Sequence, residues 1–159
     1  MHLPLHSFAV ALAALAAIVN GAPIASADAS PNYVAPTQLF KRVYINDCGD
    51  ADFVNRSSGG SPKISDCEQI AINIDGGGSW NVGVGFQHQL VQYGTCAFGV
   101  KGDAGREATF NIGNKDIIDL IRDSIAKFAW NGLVGAEGTM DCEGQSFYDV
   151  TVYWGIYHT

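Results

Sequence analysis

The chain has 159 residues, with 16 acidic and 9 basic side chains and a formal net charge of −7, and every charged residue lies beyond Ala27. That balance disfavours nucleic acid and anionic membranes, which are held by clustered Lys and Arg, and no apolar stretch is long enough to span a bilayer. Beyond Ala27 about 130 residues remain, enough for one domain with a single core.

Phe8 to Val19 is an unbroken apolar run rich in Ala and Leu, the length of a signal-peptide core. Ala25-Ser26-Ala27 follows with the small-x-small pattern of a signal peptidase site. The expected secretory segment is therefore 1–27, cleaved before Asp28, with Ala22 as a second position. His2, His6 and the terminal amine supply the positive charge ahead of the core in place of Lys or Arg. Residues 28–42 are rich in Ala, Pro and Ser without apolar period and read as a poorly ordered leader. Lys41-Arg42 closes it as a dibasic pair, either two surface charges or a processing site that would start the domain, 43–159, at Val43.

Within the domain, the polar loop around Ser57-Ser58-Gly59-Gly60-Ser61 carries an N-glycosylation acceptor, Asn55-Arg56-Ser57. Ser65 and Glu68 have capping-box spacing, so a short helix is expected from there to about Ile74, where Asp75-Gly76-Gly77-Gly78 ends it. Trp80 to Lys101 reads as short alternating segments. Phe86–Tyr93 and Cys96–Lys101, joined through Gly94-Thr95, form an antiparallel hairpin whose Cys96, Phe98 and Val100 share a core-facing side. Asn114 is a good N-cap for a helix running to about Trp130, with Gly132 placed to end it and Ile117, Leu120, Ile121, Ile125 and Phe128 on its apolar face. Leu133–Met140 and Asp149–Tyr157 read as strands, with Val150, Val152, Trp154 and Ile156 on one side. The expected fold is α+β: an antiparallel sheet packed against one long and one short helix as a disulfide-stapled sandwich.

Cys48, Cys67, Cys96 and Cys142 are even in number in a chain bound for an oxidising compartment, which favours two disulfides. Zinc sites bring two ligands from one short turn, and no pair here is closer than Cys48 and Cys67. Of three possible connectivities, Cys67 to Cys96 with Cys48 to Cys142 is preferred, because the first would fasten the short helix to the hairpin.

Chemistry is harder to find. Gly76-Gly77-Gly78 and Gly83-Val84-Gly85 lack the Lys and the following helix of a phosphate loop and read as turns or bulges. Glu137, Asp141, Glu143 and Asp149 are close in sequence, the raw material of a glycosidase pair, although solvated acidic faces are the commoner outcome. His88 and His158 have no local catalytic partner, and there is no Gly-x-Ser-x-Gly elbow. Trp80, Trp130, Trp154, Tyr153 and Tyr157 would stack on sugars or a protein partner if exposed, while strand aromatics are more often core. No catalytic, cofactor or metal residue is assigned.

Five segments, Asn46-Asp47-Cys48-Gly49, Ser65-Asp66-Cys67, Tyr93 to Val100, Asn114-Lys115-Asp116-Ile117 and Gly138-Thr139-Met140-Asp141-Cys142, resemble the necrosis-inducing factor family of fungal secreted effectors, homologues of the extracellular protein two effector. The resemblance covers Tyr44 to Tyr157. It implies an extracellular virulence factor, acting in the host apoplast, that provokes or modulates a plant cell response without enzymatic activity. The implied partner is a host plant protein or cell-surface component, its identity and the oligomeric state left open, and only the four cysteines carry over as family residues. In some fungi the domain is fused to chitinases. The order of elements is also distantly similar to smut-virus killer toxins, which are small α+β sandwiches, so an antimicrobial toxin or a secreted carbohydrate-active hydrolase stands as the alternative.

Overall fold

A computed structural model describes residues 44–146 and 148–159. The expected secretory segment 1–27 and the leader 28–42 lie outside the described residues. The elements in chain order are β1 (Cys48–Ala51), β2 (Val54–Asn55), α1 (Ile64–Asn73), β3 (Ser79–Gly83), β4 (His88–Tyr93), β5 (Cys96–Gly102), β6 (Thr109–Gly113), α2 (Asn114–Phe128), β7 (Ala136–Glu143) and β8 (Asp149–His158). The α+β class expected from the sequence is the class observed.

Among the described residues one antiparallel sheet runs β1-β7-β8-β5-β4, with β2 also paired to β7, and β3 and β6 form a separate ribbon. Strand alternation decides what each face carries. On β8, Val150, Val152, Trp154 and Ile156 are buried. Their cross-strand partners Phe98 and Val100 on β5, and Ala136, Met140 and Cys142 on β7, are buried beside them. Ile70 of α1, Ile117, Leu120 and Ile121 of α2, and Phe110 and Ile112 of β6 complete the same core cluster. Full burial of each large side chain is worth about 1.5–3 kcal/mol against leaving it exposed. Trp154 lies at the centre, edge-on to Phe53 with centroids 5.1 Å apart and parallel to Phe98 at 6.4 Å.

Both helices begin differently from their sequence signals, because tertiary partners replace local ones. α1 starts at Ile64, with Lys63 at the cap and no side-chain capping bond, so Ser65 and Glu68 do not form the expected box. The free amide of Ile64 instead donates to the carbonyl of Gly132 at 3.0 Å. In α2 the cap is Gly113, and the Asp116 carboxylate accepts its N–H at 2.8 Å. Asn114 is already helical; its Oδ1 accepts the Ile45 N–H and its Nδ2 donates to the Ile74 carbonyl. α2 stops at Phe128, two residues short of Trp130, because Ala129 is extended. Gly132 ends no helix: with Asn131 it takes positive φ, 78° and 49°, in a tight turn closed by reciprocal Trp130 and Leu133 backbone bonds.

Gly113 is required by close approach. A Cβ there would collide with the carbonyl of Ile45, the same oxygen that accepts the Lys115 N–H. Gly113→Ala is expected to destabilise the domain by about 1–3 kcal/mol through overpacking, measured by urea unfolding of the oxidised protein. Gly76→Ala, where a Cβ meets nothing within 4 Å, is expected to be near neutral.

Candidate functional site

Two interlocks hold the domain together. At the first, the disulfide Cys67–Cys96 joins α1 to the start of β5. Beside it, Asp66 Oδ2 accepts both the backbone N–H and the hydroxyl of Thr95 at 2.8 Å, and the Lys63 N–H donates to Thr95 Oγ1 at 2.9 Å. Thr95 belongs to the two-residue β4–β5 turn, so one carboxylate and one disulfide fasten the hairpin to the helix. At the second, Cys48–Cys142 joins β1 to β7. Next to it, the buried Asp116 carboxylate accepts the Asp47 N–H at 2.9 Å in addition to that of Gly113, and Ser79 Oγ donates to Asp47 Oδ2 at 2.6 Å. Desolvation pushes the Asp116 carboxyl up, opposed by backbone donors at Asp47, Gly113 and Cys48.

The segments that carry the family resemblance are thus mostly the parts of these interlocks. Asp66-Cys67 meets Thr95-Cys96, and Asp47-Cys48 meets Asn114 to Asp116 and Cys142. They build the interlocks, and Asn46, Cys48, Gly49, Asp116 and Met140 also border the cleft between β1 and α2.

The other side of the sheet is open. Asp141, Thr139 and Glu137 of β7, Tyr153, Gly155 and Tyr157 of β8, Gly99 and Lys101 of β5 and Gln89 of β4 fall on it by register. A groove of about 810 Å³ runs along this face, with Gly99 and Gly155, direct cross-strand partners, in its floor. Tyr153 is 47% exposed at one end. At the other, Tyr157 lies against the bare backbone of Gly99, where a Cβ would come within 2.9 Å of its hydroxyl oxygen and 3.1 Å of Cε1. The Tyr157 hydroxyl donates to Gln89 Oε1 at 3.2 Å; burial pushes this phenol up, with a hydrogen bond to Gln87 opposing.

The structure disperses the other candidates. Glu137 is ion-paired with Arg56, and Asp141 Oδ1 accepts the Thr151 hydroxyl at 2.8 Å. Glu143 and Asp149 are exposed opposite each other at the strand ends. None of the four faces another across an enclosed cleft. His88 Nε2 is buried without a hydrogen-bond partner beneath Gly83, and His158 is exposed with Nδ1 near the Thr159 carbonyl. Of the aromatics, Trp154 is core, Trp80 half-buried and Trp130 exposed. Asn55 is exposed on β2, its Oδ1 accepting the Ser57 N–H at 2.8 Å. Among the described residues no group of three or more His, Cys, Asp or Glu is placed to hold a metal ion, and no helix is long and apolar enough to cross a membrane.

Fold and interlocks together define a disulfide-stabilised α+β domain whose signature residues serve its architecture. A family model described as "Pathogen effector; putative necrosis-inducing factor" matches residues 47–142, and the chain belongs to this family. Two proteins of Penicillium expansum are similar to it. "Probable chitinase LysM18" is 36% identical over 116 residues, 71% of this chain and 8% of that protein. "Secreted chitinase LysM12" is 35% identical over 113 residues, 68% of this chain and 7% of that protein. The chain therefore spans less than a tenth of the length of either relative. The effector family, a relative named as secreted and the two disulfides point to an extracellular protein.

The first interlock has a pH signature. The Asp66 carboxyl is held below its ordinary value, first by the Thr95 backbone N–H and then by the Thr95 hydroxyl. A depressed carboxyl stabilises the fold above its ordinary pKa of about 3.9, and that contribution is lost as pH falls through the folded value. Asp66→Asn is expected to lower Tm at pH 7, with the gap to wild type closing as the pH is taken below about 4. Thermal melts from pH 7 to 2 measure it.

Proposed function

We propose that this protein is a secreted, non-enzymatic effector that provokes or modulates a plant cell response in the host apoplast by presenting a disulfide-held surface. The observation that carries this reading is where its distinctive residues go: the motif carboxylates Asp66 and Asp116 hold backbone amides, and the carboxylates considered for hydrolysis are paired or solvated. In purified, folded protein, Glu137→Gln, Asp141→Asn and Glu143→Gln, made singly, are expected to leave the response of infiltrated leaf tissue intact. Cys96→Ser is expected to abolish it, because losing one native bridge costs about 2–5 kcal/mol. Loss of the response in any isosteric variant of unchanged stability favours a hydrolase. Killing of microbial cultures with no response across a plant panel favours an antimicrobial toxin.

The secreted form is expected to lack 1–27, with further trimming possible after Arg42, and to carry a glycan on Asn55. Intact-mass and N-terminal analysis before and after deglycosylation test both points, and Asn55→Gln should remove the glycan mass.

A second reading has its own support. Both relatives are named chitinases, and this domain matches only a small share of each. On that reading the domain accompanies chitin-degrading machinery and contacts the polymer.

A further inference from the structure

The groove on the open face of the sheet is unused by the interlocks and has a definite chemistry. Glycine in a strand interior weakens the strand, and two glycines facing each other across β5 and β8 mark a place where something approaches the backbone closely. Tyr157 fills only the space over Gly99. A Cβ on Gly155 would find nothing nearer than the Ala136 carbonyl at 3.8 Å, so the floor there is open. Tyr153 and Tyr157 flank this opening on the same face of β8, four residues and so about 14 Å apart along the strand. The charged groups of the groove are Arg56, Lys101, Asp52 and Glu137, two of each sign, in a molecule of net charge −7. Gln87 is exposed at the rim, and the side chain of Gln89, also exposed, reaches the Tyr157 hydroxyl.

These features select a ligand. A groove with balanced charge offers no advantage to a polyanion or a polycation. Its apolar surface is interrupted by Arg56, Glu137, Thr139 and Lys101, so it offers no continuous apolar strip for an amphipathic helix. A neutral sugar chain fits: each pyranose has an apolar face that packs on an aromatic ring and a polar rim that needs both donors and acceptors. Carboxamide side chains supply both at once, and an acetamido substituent presents the complementary N–H and C=O.

We propose that this groove binds a strand of chitin, with sugar rings stacked on Tyr153 and Tyr157 across the open floor at Gly155 and an acetamido group hydrogen-bonded by Gln87. The assignment rests on the second reading above, in which the domain contacts the polymer of the chitinases it resembles.

The test titrates chitin hexasaccharide and cellohexaose into the secreted chain by calorimetry. Binding of the chitin hexasaccharide is expected, at least about tenfold tighter than cellohexaose, which lacks the acetamido groups. Tyr153→Ala and Tyr157→Ala should each weaken it by about tenfold or more, as loss of an aromatic stacking partner does. Tyr157→Ala uncovers Gly99 and is the variant more prone to lose stability, so Gly155→Val is made as well. Valine suits a strand, and its side chain projects into open space, so this protein should keep both disulfides and its unfolding midpoint while binding is lost. Asp123→Asn, in the separate cleft between β1 and α2, should leave binding unchanged. Hexasaccharide binding that persists in folded Gly155→Val and Tyr153→Ala overturns the groove while leaving the chitin reading standing. Absence of binding by the folded wild-type chain overturns both. Equal affinity for cellohexaose overturns the assignment to chitin.

Discussion

The fold depends on the buried carboxylate of Asp116. A carboxylate taken out of water is costly unless it is hydrogen-bonded, and this one answers the cost with backbone N–H groups from Gly113 and Asp47. Those two donors belong to different parts of the chain. One is the cap of α2, and the other precedes β1, so the carboxylate caps the long helix and seats the start of the domain upon it. Asn114 repeats the arrangement next door, holding Ile45 with its oxygen and the end of α1 with its nitrogen. Once Asp47 is seated, Cys48 stands opposite Cys142, and the disulfide carries the constraint into β7.

From that junction the division of the molecule follows. Both helices and the β3–β6 ribbon contribute to the core on one face of the sheet, so the apolar half of every central strand is consumed there. The opposite half must be polar or small, and β8 meets this with Thr151, Tyr153, Gly155 and Tyr157. Stability is concentrated on the covered face and in the two interlocks, which leaves the open face free to vary in its chemistry without endangering the fold. In this domain, a surface for binding has no need of the residues by which the family is known.

The same division explains why the family resemblance is informative about architecture and nearly silent about activity. Asp66, Thr95, Asp47, Asn114 and Asp116 look like chemistry in a sequence, being polar, clustered with cysteines and regularly spaced. In three dimensions they bond backbone amides, carbonyls, the Ser79 hydroxyl or each other. Tyr153 and Tyr157 belong to a strand whose apolar partners dominate the pattern, and their service as walls of a groove depends on what lies opposite them on β5.

Sequence by itself determined the elements whose signals are local and long. Val150, Val152, Trp154 and Ile156 alternate over enough residues to orient β8, the apolar stripe of α2 from Ile117 to Phe128 spans about three turns, and Gly94-Thr95 closes a hairpin between two alternating segments. It also narrowed the cysteine pairing to a preference that matches the bridges now seen. Tertiary structure alone decided the caps, since Ile64 finds the Gly132 carbonyl and Gly113 finds Asp116, where local spacing had pointed to Ser65 and Asn114. It likewise decided β1, β2 and β6, strands of two to five residues too short for alternation to declare them, and the partner of β3, which lies mostly in the alternating stretch from Trp80. The groove was the least legible feature of all. It arises from the register of β5 against β8, which sets Gly99 beside Gly155, and register depends on how the whole sheet buries its other face.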